Sequence, residues 1–255
     1  MELTHKRTLS RRDETGPPAD TPRPVAVVDI GASAVRLVVA ETPEGEPPRV
    51  LEEASRGVLL GKDAFARGRL GAATIEAAIK ALEGFRRIMD TYGVVEYRAV
   101  ATSAVREAQN RDTFLDRVRL RTGIDVEVID GPEENRLTYM AVREALRGDD
   151  LLTSGEALLV EVGGGSADIS HLRKGEPVFS GTYALGSLRV PRGLASWHGG
   201  HDQRMRLVRR HIQNVVGDIR REIPLRQLRH VIAPGGDVRF AASQVLGEKT
   251  SDRVM

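Results

Sequence analysis

The sequence predicts an α/β protein with two domains, each of which contains a glycine-containing loop between two strands. Short apolar runs typical of buried strands alternate with longer segments of helical periodicity. One unit also occurs twice: an apolar run, an acidic residue, glycine with small residues, and a second strand. The acidic residue is Asp29 in the first copy and Glu161 in the second. Two copies of one unit indicate two similar domains that face each other.

The first half of the chain predicts alternating strands and helices after a polar start. Residues 1–24 contain four prolines and no periodic apolar pattern, so we expect a disordered tail. Apolar runs predict strands, at Val25–Val28, Val35–Ala40, Val50–Val58, Tyr97–Ala101 and Val126–Ile129. Helical spacing and helix-start signals predict helices, at Thr74–Tyr92, Arg111–Thr122 and Glu133–Leu146.

The second half repeats the beginning of the first. Ala157–Val160 and Asp168–Leu172 are predicted strands that flank the loop Gly163-Gly164-Gly165-Ser166. Near the end of the chain, Gly235-Gly236 separates an apolar run from a predicted helix at Val238–Leu246. The predicted domains follow from this repeat, at 25–135 and 136–255.

The composition excludes several classes of protein. The 255 residues include no cysteine, which excludes disulfides, zinc–thiolate sites and thiol catalysis. The apolar runs are too short to cross a bilayer and no segment reads as a signal peptide, so we expect a soluble, cytoplasmic protein. Aromatic residues make up 4% of the chain, which argues against a nucleic-acid surface. Arginine outnumbers lysine, which suits an anionic ligand but also fits a compositional bias.

The two loops supply the strongest chemical signal. Glycines at 163, 164 and 165 let the main chain approach a phosphate closely, although a plain hairpin turn is the alternative. Asp29 and Glu161 stand where the two buried strands end, and a carboxylate there repels phosphate unless a cation lies between them. This arrangement predicts Mg²⁺ or a similar hard ion. The alternative is that one of these acids caps a turn.

Other candidates are weaker on the sequence pattern alone. Arg36 and Arg106 are able to grip phosphate oxygens, but lone arginines are usually solvated. Glu134 lies in a first helical turn, where the helix dipole favours acids without any catalytic role. His198 and His201 form half of a metal-site pattern, for which a surface loop is the plainer interpretation.

Together these stretches resemble the exopolyphosphatase and guanosine pentaphosphate phosphohydrolase family, a branch of the actin-like, sugar-kinase and Hsp70 superfamily. Four motifs carry the resemblance, at Val27–Leu37, Ala101–Asn110, Val128–Val142 and Val160–Asp168. Weaker similarity occurs at Ala184–Arg189 and Pro234–Ala242. Four ordered motifs at plausible spacings are specific for family membership.

The resemblance implies a cleft between two ribonuclease-H-like domains, with the phosphate chain lying across it. Glu134 matches the family's catalytic glutamate, which activates a water for attack on the terminal phosphorus. Asp29, Glu161 and Asp168 match acids that handle the metal, so Mg²⁺ or another divalent cation is the implied cofactor. Phosphate binding is expected of both loops and two arginines, at Gly31, Ser33, Arg36, Arg106, Gly163, Gly164, Gly165 and Ser166.

This chain departs from the family pattern in both loops. Ala32, Ser33 and Ala34 stand where the family usually reads Ser-Asn-Ser, so side-chain contacts to phosphate are lost. Glu161 is one methylene longer and Asp168 one shorter than the family's acids, and misplacement near 1 Å costs about 100-fold in rate. Family members also carry further secondary structure after the Gly-Gly turn, so the chain is either a natural short form or one whose second domain is truncated at its C-terminus.

Two functions remain open from the sequence. The first is a metal-dependent phosphoanhydride hydrolase that releases orthophosphate from polyphosphate or guanosine pentaphosphate, favoured by the retained acids. The second is a phosphate-chain-binding regulatory protein with weak or no hydrolysis, favoured by the altered loops. An ATP-dependent kinase is weaker, because no insert for a sugar or acid is evident. The expected partner is polyphosphate or a phosphorylated guanine nucleotide, without membrane or nucleic acid, and a homodimer is left open.

Overall fold

The computed structural model describes residues 23–190 and 200–246. Within these ranges the strands are β1 Pro24–Ile30, β2 Ala34–Glu41, β3 Arg49–Gly57, β4 Glu96–Ala101, β5 Glu127–Val128, β6 Glu156–Val162, β7 Ala167–Arg173, β8 Glu176–Tyr183 and β9 Leu228–Ile232. The helices are α1 Leu60–Arg67, α2 Ala72–Thr91, α3 Ser103–Arg106, α4 Arg111–Thr122, α5 Gly131–Ala145, α6 His201–Glu222 and α7 Gly236–Leu246.

The first five strands form one mixed sheet in the order β3-β2-β1-β4-β5. β1, β2 and β3 are antiparallel neighbours, whereas β4 and β5 run parallel to β1. The register of the β1–β2 hairpin places Asp29 opposite Arg36. Because parallel strands bring their carboxyl ends to one edge, Asp29 shares an edge with the segments that lead into α3 and α5.

The second sheet repeats this order with four strands, as β8-β7-β6-β9. β6, β7 and β8 are antiparallel neighbours, and β9 runs parallel to β6. The β6–β7 register places Glu161 opposite Asp168, in the same way that the first hairpin pairs its own residues. Two sheets of one ribonuclease-H-like order confirm the predicted α/β fold class.

The first sheet packs against one continuous hydrophobic core. Helix α2 contributes a stripe of buried residues three or four positions apart, which is the spacing of one helix face. Phe85 and Phe114 are its largest fully buried side chains and come from α2 and α4. α1 and α3 add smaller residues to the same cluster.

The second sheet has a smaller cluster on each face. Helix α5 covers one face with Tyr139 and Val142, beside Leu159 of β6. Helix α6 covers the other face with Ile219, beside Leu158 of the same strand. Neighbouring residues of a strand point to opposite faces, so β6 is buried on both sides.

The predicted strands and helices form with ends that differ by at most two residues. Sequence patterns missed α1, α3, β8 and α6. α1 is eight residues long and follows Leu59, which adopts a left-handed conformation with φ of 53°. α6 is rich in arginine, but its apolar residues Met205, Val208, Ile212, Val215 and Ile219 recur three or four positions apart, and of these only Ile219 is buried.

The structure also bears on the predicted domain boundary, the predicted tail and the histidine pair. The predicted domain boundary at 135/136 falls inside α5, which packs against β7 and β8 of the second sheet, and the division into domains stays a prediction. The predicted tail lies outside the described residues except for Arg23 and Pro24, and Pro24 begins β1. His198 also lies outside them, whereas His201 is the exposed first residue of α6. No described helix is both long and apolar enough to span a membrane.

Candidate functional site

The two hairpins of the repeat have the same turn. In the first, the N–H of Gly31 donates to the carbonyl of Ala34 at 3.0 Å. In the second, the N–H of Gly163 donates to the carbonyl of Ser166 at 2.9 Å. Each turn starts two residues after the acid near the end of its first strand, so the two carboxylates occupy equivalent places.

The glycines of the second loop pack against the first half of the chain. A Cβ atom on Gly164 would lie 2.5 Å from the hydroxyl oxygen of Ser33, and one on Gly165 would overlap the side chain of Ser103. These distances exclude any side chain larger than hydrogen. Both glycines therefore allow the two halves to touch, and phosphate binding by them stays a prediction.

Beside this contact lies a cleft of about 320 Å³. It is lined by both loops, the end of β4, one face of α5 and the start of α7. Ten of the twelve sequence-predicted site residues line it: Asp29, Gly31, Ser33, Arg36, Glu134, Glu161, Gly163, Gly164, Gly165 and Ser166. Arg106 and Asp168 do not line the cleft themselves. Arg106 contacts the lining residue Glu134, and Asp168 contacts the lining residue Ser166.

Glu134 reaches the cleft from the first turn of α5. Asp130 caps this helix, because its carboxylate accepts the N–H of Glu133 at 2.9 Å. Arg106 Nη1 donates to Glu134 Oε2 at 3.2 Å and to the carbonyl oxygen of Ile129 at 2.7 Å. The cap fixes the helix start and Arg106 orients the carboxylate.

The environment of Glu134 changes its proton affinity. Burial raises the pKa of Glu134 to about 7, and the negative charges of Asp168 and Glu161 add to the rise. A carboxylate with such a pKa is half ionised at neutral pH and able to accept a proton from water. The preceding acid behaves in the opposite way, since hydrogen bonds from Arg136 lower the pKa of Glu133 to about 2.

Asp29 and Glu161 supply the cleft with two oxygen donors at equivalent hairpin positions. Burial raises the pKa of Asp29, the charge of Glu161 adds to the rise, and Arg36 opposes it. The hydroxyl of Thr138 donates to Glu161 Oε2 at 2.6 Å. In the part of the chain that the structure describes, no group of three or more His, Cys, Asp or Glu side chains is arranged to hold an ion.

A complete three-acid cage is not needed for Mg²⁺. This ion commonly keeps several waters and binds through one or two carboxylates plus substrate phosphates. The hard carboxylate oxygens of Asp29 and Glu161 fit that donor set. Coordination by these two residues stays a prediction.

Asp168 is engaged in a buried polar network instead of lining the cleft. The residue is 5% exposed, and its carboxylate accepts from the hydroxyl of Thr182 at 2.6 Å. It also accepts from Asn135 Nδ2 and from the hydroxyl of Ser166, each at 3.3 Å. Burial raises its pKa, and the Thr182 hydrogen bond opposes the rise. The predicted role as a metal ligand is therefore less well supported than that of Asp29 or Glu161.

Arg36 is the cationic side chain of the cleft lining. Its Nη1 donates to Asp29 Oδ2 at 3.4 Å, while 61% of the side chain is exposed. This long, exposed pair leaves the guanidinium able to turn toward a phosphate oxygen.

A model of the Ppx/GppA phosphatase family matches residues 38–244. This range includes part of the first sheet, all of the second sheet and all of α5. The chain belongs to the Ppx/GppA phosphatase family. The match begins within β2, so the altered turn of the first hairpin lies ahead of it.

Curated proteins and solved structures of this family are similar to most of this chain. Exopolyphosphatase 1 of Mycobacterium tuberculosis is 30% identical over 168 residues, which are 66% of this chain and 48% of that protein. The chain thus spans about half the length of the curated relatives it matches. A solved exopolyphosphatase from Cytophaga hutchinsonii is 25% identical with a TM-score of 0.76, covering 90% of this chain and 73% of that one. The Aquifex aeolicus family member is 26% identical with a TM-score of 0.69, covering 91% and 72%.

The first loop, where this chain departs from the family pattern, is held by main-chain bonds. The carbonyl of Ala32 accepts the N–H of Gly61 at 2.9 Å. The carbonyl of Ser33 accepts the N–H groups of Val58 and Leu59 at 3.1 and 3.0 Å. The loop therefore keeps its shape without the two missing hydroxyls or the missing amide.

Four further polar residues of the described lining are not among the predicted site residues: Thr102, Ser103, Thr138 and Asp237. Thr138 follows Glu134 by four positions, so helical periodicity alone puts both on one face of α5. Asp237 directly follows the Gly235-Gly236 turn. Because the sequence predicts that this turn binds an anion, its position is a signal that could have marked Asp237 as a candidate site residue. Ser103 carries no comparable signal, because its place depends on how the two halves meet.

Proposed function

We propose that this chain hydrolyses the terminal phosphoanhydride bond of inorganic polyphosphate with the help of a divalent cation. The observation that carries the proposal is Glu134, a half-buried carboxylate whose side chain is 21% exposed and whose pKa is about 7, at the wall of a cleft between two hairpin loops. Two of the similar proteins are named exopolyphosphatases, which supports the substrate class.

The charge of the cleft supports a cation. Its lining contains four acids and one arginine: Asp29, Glu134, Glu161, Asp237 and Arg36. The end of a polyphosphate chain brings further negative charge into the cleft. Repulsion between its phosphates and the carboxylates of the lining is strong in a partly desolvated site. Bound between Asp29, Glu161 and the phosphates, a Mg²⁺ ion would neutralise that charge and polarise a phosphoryl oxygen.

The residues of the chain then have separate tasks. Glu134 accepts a proton from a water molecule as that water attacks the terminal phosphorus. Arg106 holds the Glu134 carboxylate in place and partly neutralises its negative charge. Arg36 and the loop N–H groups hold phosphate oxygens. Positioning and charge neutralisation of this kind supply most of the catalysis of phosphoryl transfer.

The lining favours polyphosphate over guanosine pentaphosphate as substrate. None of the described residues that line the cleft is aromatic. A guanine base is commonly held by stacking on an aromatic ring, whereas a phosphate chain needs only charges and N–H donors. The nucleotide remains the second substrate to test.

A regulatory protein that binds the chain without turnover is the alternative. Ala32 and Ala34 favour it, because both line the cleft in the first loop without a polar side chain. The retained Glu134 favours hydrolysis. One kinetic experiment separates the two functions.

The test is orthophosphate release from long-chain polyphosphate with Mg²⁺, comparing the wild type with Glu134→Gln. Loss of the base should lower the rate by about 100-fold or more, because general base catalysis supplies that order of acceleration. Glu133→Gln is the matched control, since this acid shares the first turn of α5 but pairs with Arg136 and Arg98. Its rate should stay within about twofold of the wild type.

The outcomes are distinct. Release that requires both Mg²⁺ and Glu134 supports the hydrolase. No release, combined with a higher melting temperature in the presence of polyphosphate, supports the binding protein. Equal rates for the two variants would remove Glu134 from the proposed role.

A further inference from the structure

Arg189 makes three side-chain contacts beside the cleft. Its Nε donates to the carbonyl oxygen of Gly165, and its Nη2 pairs with the carboxylate of Glu107. The guanidinium also lies over the ring of Phe65, with its carbon 4.1 Å from the ring centroid. The Arg189 side chain is 21% exposed, and its contact with the Gly165 carbonyl is partly buried, whereas Glu107 is 44% exposed.

The three partners belong to different halves of the chain. Gly165 is part of the second hairpin loop, whereas Phe65 lies in α1 and Glu107 directly follows α3. Arg189 itself is fixed to the second loop, because its N–H donates to the carbonyl of Gly164 at 3.1 Å. One guanidinium therefore joins the glycine loop of the second half to two elements of the first.

A guanidinium suits this place better than an ammonium. Its plane stacks on an aromatic ring while its edge donates to two acceptors in a fixed geometry, and lysine offers only a point charge. The loop that it holds also contacts the first half directly, since Gly164 packs against Ser33 and Gly165 packs against Ser103. A shift of this loop therefore moves Glu161 and the loop N–H groups relative to Asp29.

We propose that Arg189 is a positioning residue that holds the second glycine loop against the first half and so sets the width of the cleft. The inference rests on the proposed hydrolysis for its kinetic consequence. Phosphoryl transfer requires the two loops to hold one phosphate chain together, and a displacement of about 1 Å costs about 100-fold in rate.

The kinetic experiment compares Arg189→Ala and Arg189→Lys with the wild type in polyphosphate hydrolysis. We expect kcat to fall by about 100-fold in Arg189→Ala, with a smaller change in KM. Arg189→Lys should restore only part of the rate, because it keeps the charge but not the stacking and the double donation. Arg147→Ala is the matched control, since Arg147 is an exposed arginine paired with Glu144 and should behave as wild type.

A distance measurement tests the same proposal without any turnover. The chain has no cysteine, so spin labels attach only at introduced Leu120→Cys and Val178→Cys, which are exposed on the first and second halves. The distance distribution between the labels should be longer and broader in Arg189→Ala and Arg189→Lys than in the wild type or Arg147→Ala.

Each result has one meaning. Wild-type distances in both Arg189 variants, or an unchanged kcat in either, overturn the positioning role. An inactive wild type with a distance change in the Arg189 variants rejects the proposed hydrolysis and leaves the positioning role in place.

Discussion

The two hairpins share a turn and a register, yet they differ at the position opposite the acid of the first strand. One hairpin has an exposed cation there and the other has a buried acid. In the first hairpin this is Arg36, whose side chain is 61% exposed at the cleft. In the second it is Asp168, which is 5% exposed and bonded to Thr182 and Asn135. The duplicated backbone fixes where each side chain stands. The helix packed beside it decides what that side chain contacts.

The two halves also differ in how they are buried. The first sheet rests on one large cluster that includes four helices, whereas the second has a small cluster on each face. Large apolar side chains at the end of the second half are exposed, including Val231, Phe240 and Val245. Glu161 on β6 and Glu134 on α5 reach the cleft from the second sheet and from the helix that packs on it.

The largest expected effect concerns the two equivalent acids. Asp29→Asn and Glu161→Gln should each lower the rate by about 100-fold at fixed Mg²⁺ and raise the Mg²⁺ concentration needed for half the maximal rate. Asp168→Asn sharpens the comparison, because its buried hydrogen bonds predict lower thermal stability with an unchanged Mg²⁺ requirement. The measurement is a Mg²⁺ titration of orthophosphate release. A Mg²⁺ shift in Asp168→Asn equal to the others would return Asp168 to the ligand set.

The next effect compares two glycines of one loop. Gly165→Ala should destabilise the protein by about 1–3 kcal/mol, because its methyl group would overlap Ser103 and reach within 2.5 Å of Phe65. Gly163→Ala is the control, since the nearest atom to its methyl group, the carbonyl oxygen of Ser166, would lie at 3.7 Å. Thermal unfolding monitored by circular dichroism gives both values. Equal losses would contradict the contact with Ser103 and Phe65 as the reason for glycine at 165, since neither glycine has a positive φ.

The smallest effect is a dependence on pH that distinguishes two neighbouring acids. The rate should rise with pH to half its maximum near 7, because the ionised form of Glu134 is the base. Its raised pKa also means that the folded protein loses stability as pH rises from about 4.5 to about 7. Glu133 acts in the opposite direction, because its pKa is lowered. Its contribution to the stability of the fold is present above pH 4.5 and is lost as the pH falls toward 2.

Denaturant unfolding across this pH range tests the assignment. Glu134→Gln should reduce the loss of stability between about 4.5 and 7 and leave the part that comes from Asp29 and Asp168, whose pKa values burial also raises. Glu133→Gln should leave the whole loss in place. A rate profile without an inflection near 7 would contradict Glu134 as the titrating base.

Much of the fold was predictable because it depends on local patterns. The apolar runs of β1 and β6, the periodic stripe of α2 and the twofold order of strand, acid and glycine are all properties of neighbouring residues. They determined the α/β class and placed Glu134, Asp29 and Glu161 at the edge of a strand or the start of a helix. Helix α6 has a readable apolar stripe from Met205 to Ile219, so local periodicity was sufficient to predict it, although the predicted helices did not include it.

The contacts of the site were not predictable in the same way. The sequence by itself determined which residues end the strands and which are able to bind phosphate or take a proton. Only the tertiary structure decided that Asp168 turns into a buried network, that Gly165 lies against Ser103 and that Arg189 joins the two halves. These outcomes depend on packing between segments far apart in the chain, and local periodicity carries no information about such packing.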